Sequence, residues 1–100
     1  MSILHTVNKS PFQKGDLSSC LAHANAEDAV LLIEDGVYGA IAGTDAANEI
    51  AAANTNIYVL GGDLAARGIA SEKVAQGVNV IEYDGFVDLV TEHKAVNSWL

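Results

Sequence analysis

A single thiol sets the chemistry open to this chain. Cys20 is the only cysteine among 100 residues, so neither an internal disulfide nor a cysteine-based metal cluster can form. A lone accessible cysteine suits persulfide carriage. Its thiolate attacks a sulfane sulfur, and no second thiol lies nearby to resolve the product. His23 follows three residues later, within reach on the same helix surface. A protonated His23 would lower the thiol pKa, and so would the start of the helix. Asp16, Glu27 and Asp28 act in the opposite direction. Cys20 also lies on an apolar stripe with Leu17 and Leu21, so it also reads as a small buried hydrophobe.

The other reactive side chains form no constellation. His5 falls within a strand, and His23 and His93 on separate helices, without metal-ligand spacing, so structural roles are expected for each. Ser10, Ser18 and Ser19 lack the G-x-S-x-G context of a nucleophile elbow. Gly61-Gly62-Asp63 superficially suggests a phosphate loop. It matches neither G-x-G-x-x-G nor a Walker sequence, and Asp63 would repel a phosphate. A tight turn followed by an N-cap is the expectation there. No cofactor and no metal are expected. Trp99-Leu100 form an apolar pair, either tucked against their own domain or pressed into a partner.

Bulk composition narrows the partners. One hundred residues make one domain, spanning 1–100, that buries roughly two thirds of its unfolded surface. Half the residues are apolar and 18% are charged, which is greasy for so small a domain and argues for burial in an oligomer. Thirteen acids against five bases give a net charge of -8, which repels nucleic-acid phosphates. No direct nucleic-acid contact is expected. No segment approaches the ~18 to 20 apolar residues of a membrane span, and no secretory signal is visible. A cytoplasmic setting with no membrane contact is the expectation.

The elements that would position these residues alternate. Ile3–Val7 reads as a strand, followed by a loop in which Ser10-Pro11 forces extended geometry. Asp16 is the expected cap of a helix carrying Leu17, Cys20, Leu21 and Ala24 on one face. The apolar run Ala29–Ile33 is a strand buried on both faces. Val37–Ala42 suggests a short helix and Asp45–Ala53 an alanine-rich one. Ile57–Leu60 is a third strand stopped by Gly61-Gly62, with Asp63 capping Leu64–Arg67 and Gly68 ending it. Ser71 opens a further turn, Val78–Ile81 is a fourth strand, and Asp84 caps a final helix with Phe86, Leu89, Val90 and His93 on one face. Such alternation builds βαβ units: an α/β fold, flavodoxin- or Rossmann-like, with a mostly parallel sheet and helices on both faces.

Four segments in register carry a family resemblance. Leu4-His5-Thr6-Val7-Asn8-Lys9-Ser10-Pro11 and Leu31-Leu32-Ile33-Glu34-Asp35-Gly36-Val37-Tyr38 are two of them. Tyr58-Val59-Leu60 with Asp63-Leu64 and Ala66-Arg67-Gly68 is the third. The fourth is Tyr83, Phe86-Val87, Leu89-Val90, His93 and Ser98-Trp99. Together they resemble the DsrH/TusB family over essentially the whole chain. The resemblance implies a DsrE-like fold. It implies assembly with homologous DsrE-like and DsrF-like subunits into a 2:2:2 heterohexamer. It implies a sulfur relay that passes persulfide sulfur to or from a DsrC/TusE-like carrier protein. The family serves oxidation of reduced sulfur and, separately, supply of sulfur for 2-thiouridine at a tRNA wobble position. DsrH-type members carry a cysteine at the place of Cys20, whereas many TusB-type members lack it, so sulfur oxidation is the favoured branch at this stage. The family's main acceptor cysteine lies on another subunit. A purely structural role for this chain therefore stands beside Cys20 as a carrier with His23 as its modulator.

Overall fold

Side-chain alternation along parallel strands gives the sheet two differently covered faces. The computed structural model describes residues 2–99. Strands Ile3–Val7 (β1), Ala29–Leu32 (β2), Asn56–Leu60 (β3), Val78–Ile81 (β4) and Ala95–Trp99 (β5) form one parallel sheet in the order β4-β3-β2-β1-β5. Asp16–His23 (α1), Asp45–Ala52 (α2) and Gly61–Ala66 (α3), with a 3-10 helix over Glu34–Ala40, cover one face. Their apolar side chains meet Val7, Val30, Leu32, Ile57 and Val59 of the strands. Tyr83–Glu92 (α4) covers the other face alone, with Leu89 set among Leu4, Ala29 and Leu31. Every residue of β2 is buried, as its unbroken apolar run requires. Full burial of each leucine or valine there contributes roughly 1.5–3 kcal/mol. The expected α/β architecture is thus present, with a parallel sheet and helices on both faces.

The chain order explains the layers. Each step from β1 to β4 moves to the neighbouring strand in one direction, and its helices lie on one face. From β4 the chain returns across the whole sheet to pair β5 with β1, and α4 makes that crossing on the opposite face. The crossover hand of parallel strands requires the change of face when the direction reverses.

Several local expectations give way. Residues 95–99 form β5, an edge strand that was not expected, with Trp99 opposite Val7 in register. Asp16, Asp63 and Asp84 are not caps. They lie inside the first turns of helices whose N-cap residues are Gly15, Leu60 and Glu82, none of which makes a side-chain cap. Carboxylates there still favour the helix dipole. Among the described residues, the helix side-chain cap is Thr44, whose Oγ1 accepts from the Ala47 amide at 3.2 Å. Gly61-Gly62 do not form a turn; β3 runs straight into α3. Gly68 does end that helix as expected, in the left-handed region at φ 69°.

Gly36 is required by space rather than by backbone angle. A Cβ there would collide with the Val7 carbonyl. The left-handed residue of this turn is instead Glu34, at φ 50°. Gly36→Ala is expected to destabilise the fold by about 1–3 kcal/mol, because only backbone movement can relieve the overlap. Gly15→Ala, which meets nothing within 4 Å, serves as the control. Urea midpoints measure both, and an unchanged midpoint for Gly36→Ala refutes the close approach.

Candidate functional site

Cys20 occupies the inward face of α1. Its side chain is 0% exposed, in the cluster that contains Leu17, Val7 and Val30. Burial pushes the thiol pKa up to about 12, and the Asp28 carboxylate adds to the rise. The thiol is therefore protonated at neutral pH in this conformation, the state least able to attack sulfur. His23 sits on the exposed side of the same helix. Its Nδ1 donates to the Ser19 carbonyl at 2.8 Å, and its ring rests 5.7 Å from the Trp99 indole. It makes no hydrogen bond to the thiol.

Trp99 turns inward, toward the face covered by α1, and packs against the larger core cluster. Its Nε1–H donates to His5 Nδ1 at 3.1 Å. Trp99 thus packs against its own domain and stays part-exposed at the sheet edge. Leu100 lies outside the described residues.

Sequence reasoning missed what Trp99 reaches. His5 Nε2 lies 3.0 Å from Asp28 Oδ2, and both side chains are buried. Indole nitrogen can only donate, so His5 Nδ1 accepts and Nε2–H is directed at Asp28. An Asp–His pair of this kind is half of the relay that activates a nucleophile. Here the position a nucleophile would take is filled by the indole, so the pair does structural work. Asp28 is 1% exposed. Burial alone would raise its pKa, but donors from Asn25 N and Ile3 N, together with His5, bring it below the usual carboxylate value.

A second polar cluster lies at the carboxyl ends of β1–β3, where open α/β sheets bind ligands. Glu34 N donates to Asp63 Oδ2 at 2.7 Å, Asn8 Nδ2 approaches Glu34 Oε2 at 3.4 Å, and Arg67 Nε meets Asp35 Oδ1 at 2.9 Å. Asn8 Oδ1 is buried without a hydrogen-bond partner. The cluster contains acids, one amide and one guanidinium but no nucleophile. Among the described residues, no group of three His, Cys, Asp or Glu side chains could hold a metal ion, and no helix is long and apolar enough to cross a membrane.

Two measurements test the Trp99–His5–Asp28 chain. Trp99→Phe keeps a ring but leaves His5 Nδ1 buried without a donor, an expected loss of about 1–3 kcal/mol; an unchanged thermal midpoint would mean the hydrogen bond is idle. For Asp28, a folded pKa below the unfolded value (about 3.9) contributes stability that is complete above the unfolded value. That stability is lost as pH falls through the folded value. The stability gap between the wild type and Asp28→Asn should therefore narrow on acidification below about pH 4. A gap that stays constant from neutral pH to strong acid would refute the depressed carboxylate.

Residues 9–96 match the family described as "DsrH like protein". The chain is 37% identical to Protein TusB of Pectobacterium parmentieri and 36% identical to Protein TusB of Erwinia tasmaniensis, each over 97% of this chain and 100% of the relative. In fold it is similar to the ychN protein from E. coli, with a TM-score of 0.82 at 16% identity, covering 98% of both chains. It is also similar to Tm0979 from Thermotoga maritima, with a TM-score of 0.69 at 25% identity, covering 92% of this chain and 93% of that one. The family match over residues 9–96, with 37% identity to a relative along 97% of the chain, makes this chain a member of the DsrH/TusB family.

Proposed function

We propose that this chain is a non-catalytic subunit of a cytoplasmic sulfur-relay complex. DsrE-like and DsrF-like homologous subunits complete it as a 2:2:2 heterohexamer, and persulfide sulfur passes to a DsrC/TusE-like carrier protein. The observation that carries this reading is the end-to-end similarity to proteins named TusB. The same names favour the branch that supplies sulfur for 2-thiouridine at the tRNA wobble position, in place of the oxidative branch that Cys20 suggested. With a net charge of -8, the chain acts through protein partners rather than by holding the tRNA. A second reading, sulfur oxidation, keeps one supporting observation: Cys20 is present in the first helix.

Persulfide formation needs a thiolate whose sulfur can reach a sulfane sulfur and displace the leaving thiolate. Buried at 0% exposure, with its pKa pushed up to about 12, Cys20 supplies neither the charge nor the access. It therefore serves as a packing element beside Leu17. His23, engaged with Ser19 and Trp99, steadies the closing strand instead of tuning the thiol. The acceptor cysteine then belongs to a partner subunit, and this chain shapes the assembly around it.

Intact mass spectrometry of the assembled complex after polysulfide treatment tests the proposal. Added sulfur that dithiothreitol removes is expected on a partner subunit and not on this chain. Cys20→Ala, which avoids burying a hydroxyl, should leave sulfur transfer to the carrier unchanged. Native Cys20 should also alkylate far more slowly than the urea-unfolded chain. Sulfur mass on this chain that disappears in Cys20→Ala would make Cys20 a relay station and overturn the structural role.

A further inference from the structure

The larger sheet face is roofed by several helices, whereas α4 alone covers the other. That helix is apolar on two sides. Phe86 and Leu89 face the sheet, among Leu4, Leu31, Tyr58 and Ile81. Tyr83, Val87 and Val90 recur at i, i+4 and i+7 and form a second stripe beside it, 70%, 45% and 41% exposed, so Val90, expected on the face of Phe86 and Leu89, is open to solvent instead. Tyr83 stands edge-on to Phe86 with ring centroids 6.1 Å apart. A shallow groove of about 250 Å³ runs between Tyr83, Phe86, Val87, Val90 and Thr91. A surface helix would ordinarily place polar residues along this outward stripe. Among the described residues Phe12 is a second ring so exposed, at 68%, but it lies in a mixed pocket where Ser18, Thr44, Asp45 and Glu49 stand beside Pro11, Leu17 and Ala46.

The charges beside the stripe say what fits it. Asp84, Asp88 and Glu92 recur at i, i+4 and i+8, so one row of carboxylates flanks the apolar stripe, and all three are exposed. Glu82 precedes them, and no lysine or arginine occurs between Glu82 and Glu92. A second copy of this chain would bring the same carboxylate row, and the same net charge of -8, against the first. A different protein with an apolar knob and a rim of lysine or arginine meets both features.

We propose that the outward stripe of α4, formed by Tyr83, Val87 and Val90 with the carboxylate row Asp84, Asp88 and Glu92, docks a non-identical, basic-rimmed protein subunit. The identity of that subunit as a homologous member of the relay complex rests on the function proposed above. The apolar groove supplies the contact and the carboxylate row selects the partner.

Co-expression with the DsrE-like and DsrF-like subunits, followed by light scattering on the purified assembly and titration with salt, tests the proposal. Val87→Glu combined with Val90→Glu should weaken assembly by about ten-fold or more. The thermal midpoint of the isolated chain should stay unchanged, because both side chains are already exposed. Asp84→Lys with Asp88→Lys should also weaken assembly and flatten its salt dependence. Phe12→Asp should leave assembly intact. Wild-type assembly that survives the double valine replacement overturns the α4 surface while leaving the relay reading standing. A homodimer of the isolated chain that the same replacement abolishes overturns the choice of a non-identical partner. A wild-type chain that binds neither homologous subunit overturns the relay reading, and the α4 assignment falls with it.

Discussion

The carboxylate of Asp28 is the point through which this fold is tied together. It lies at the entrance to β2 and is 1% exposed, so each of its lone pairs must be met from within the protein. Oδ1 takes the Ile3 amide at the start of β1, and Oδ2 takes the Asn25 amide from the turn after α1. Oδ2 also takes His5 Nε2, from the neighbouring strand. The Asp28 carbonyl meanwhile accepts the Thr55 hydroxyl, at the start of β3. Through His5 the same carboxylate reaches Trp99 of β5. One residue thus ties four adjacent strand segments, three through its carboxylate and β3 through its main-chain carbonyl. A buried charge is tolerable only with such a set of donors, since an unpaired one costs several kcal/mol.

This arrangement also bears on the chemistry of the core. The carboxylate that holds the strands is one of the two reasons the Cys20 thiol stays protonated, after burial itself. What stabilises the fold suppresses the thiolate. That coupling favours a subunit whose contribution is shape and surface, with sulfur handled elsewhere in the assembly. The distribution of polarity over the molecule follows the same division. Several helices roof the larger core cluster, while α4 presents an apolar stripe and a row of acids to the outside.

Much of the fold was legible in the sequence because local signals agreed. The apolar run at residues 29–33 could only be an interior strand, and Leu17, Cys20 and Leu21 marked the inward face of α1. β5 was not legible. Ala95-Val96-Asn97-Ser98-Trp99 alternates weakly and follows α4 with no glycine or proline to announce a boundary. Its existence depends on an open edge of β1, a tertiary fact. The Trp99–His5–Asp28 chain was invisible for the same reason. It joins residues 94 and 23 positions apart, and only the strand order brings them together. The three aspartates read as caps were correctly seen at helix starts but displaced inward, because cap and first-turn positions favour the same residue type.

The pairing of β1 with β5 carries a consequence for how the chain acquires its shape. β2 follows β1 by about twenty residues in the sequence, yet the other neighbour of β1 arrives only after three further strands have been laid down. During vectorial synthesis, the ladder groups of β1 on that side, and the hydrophobic wall behind them, stay open until the last strand emerges. A strand that is interior in the finished sheet is therefore an edge strand for most of its history. His5, buried at the end, begins on an open rim, and Trp99 is the side chain that finally closes over it.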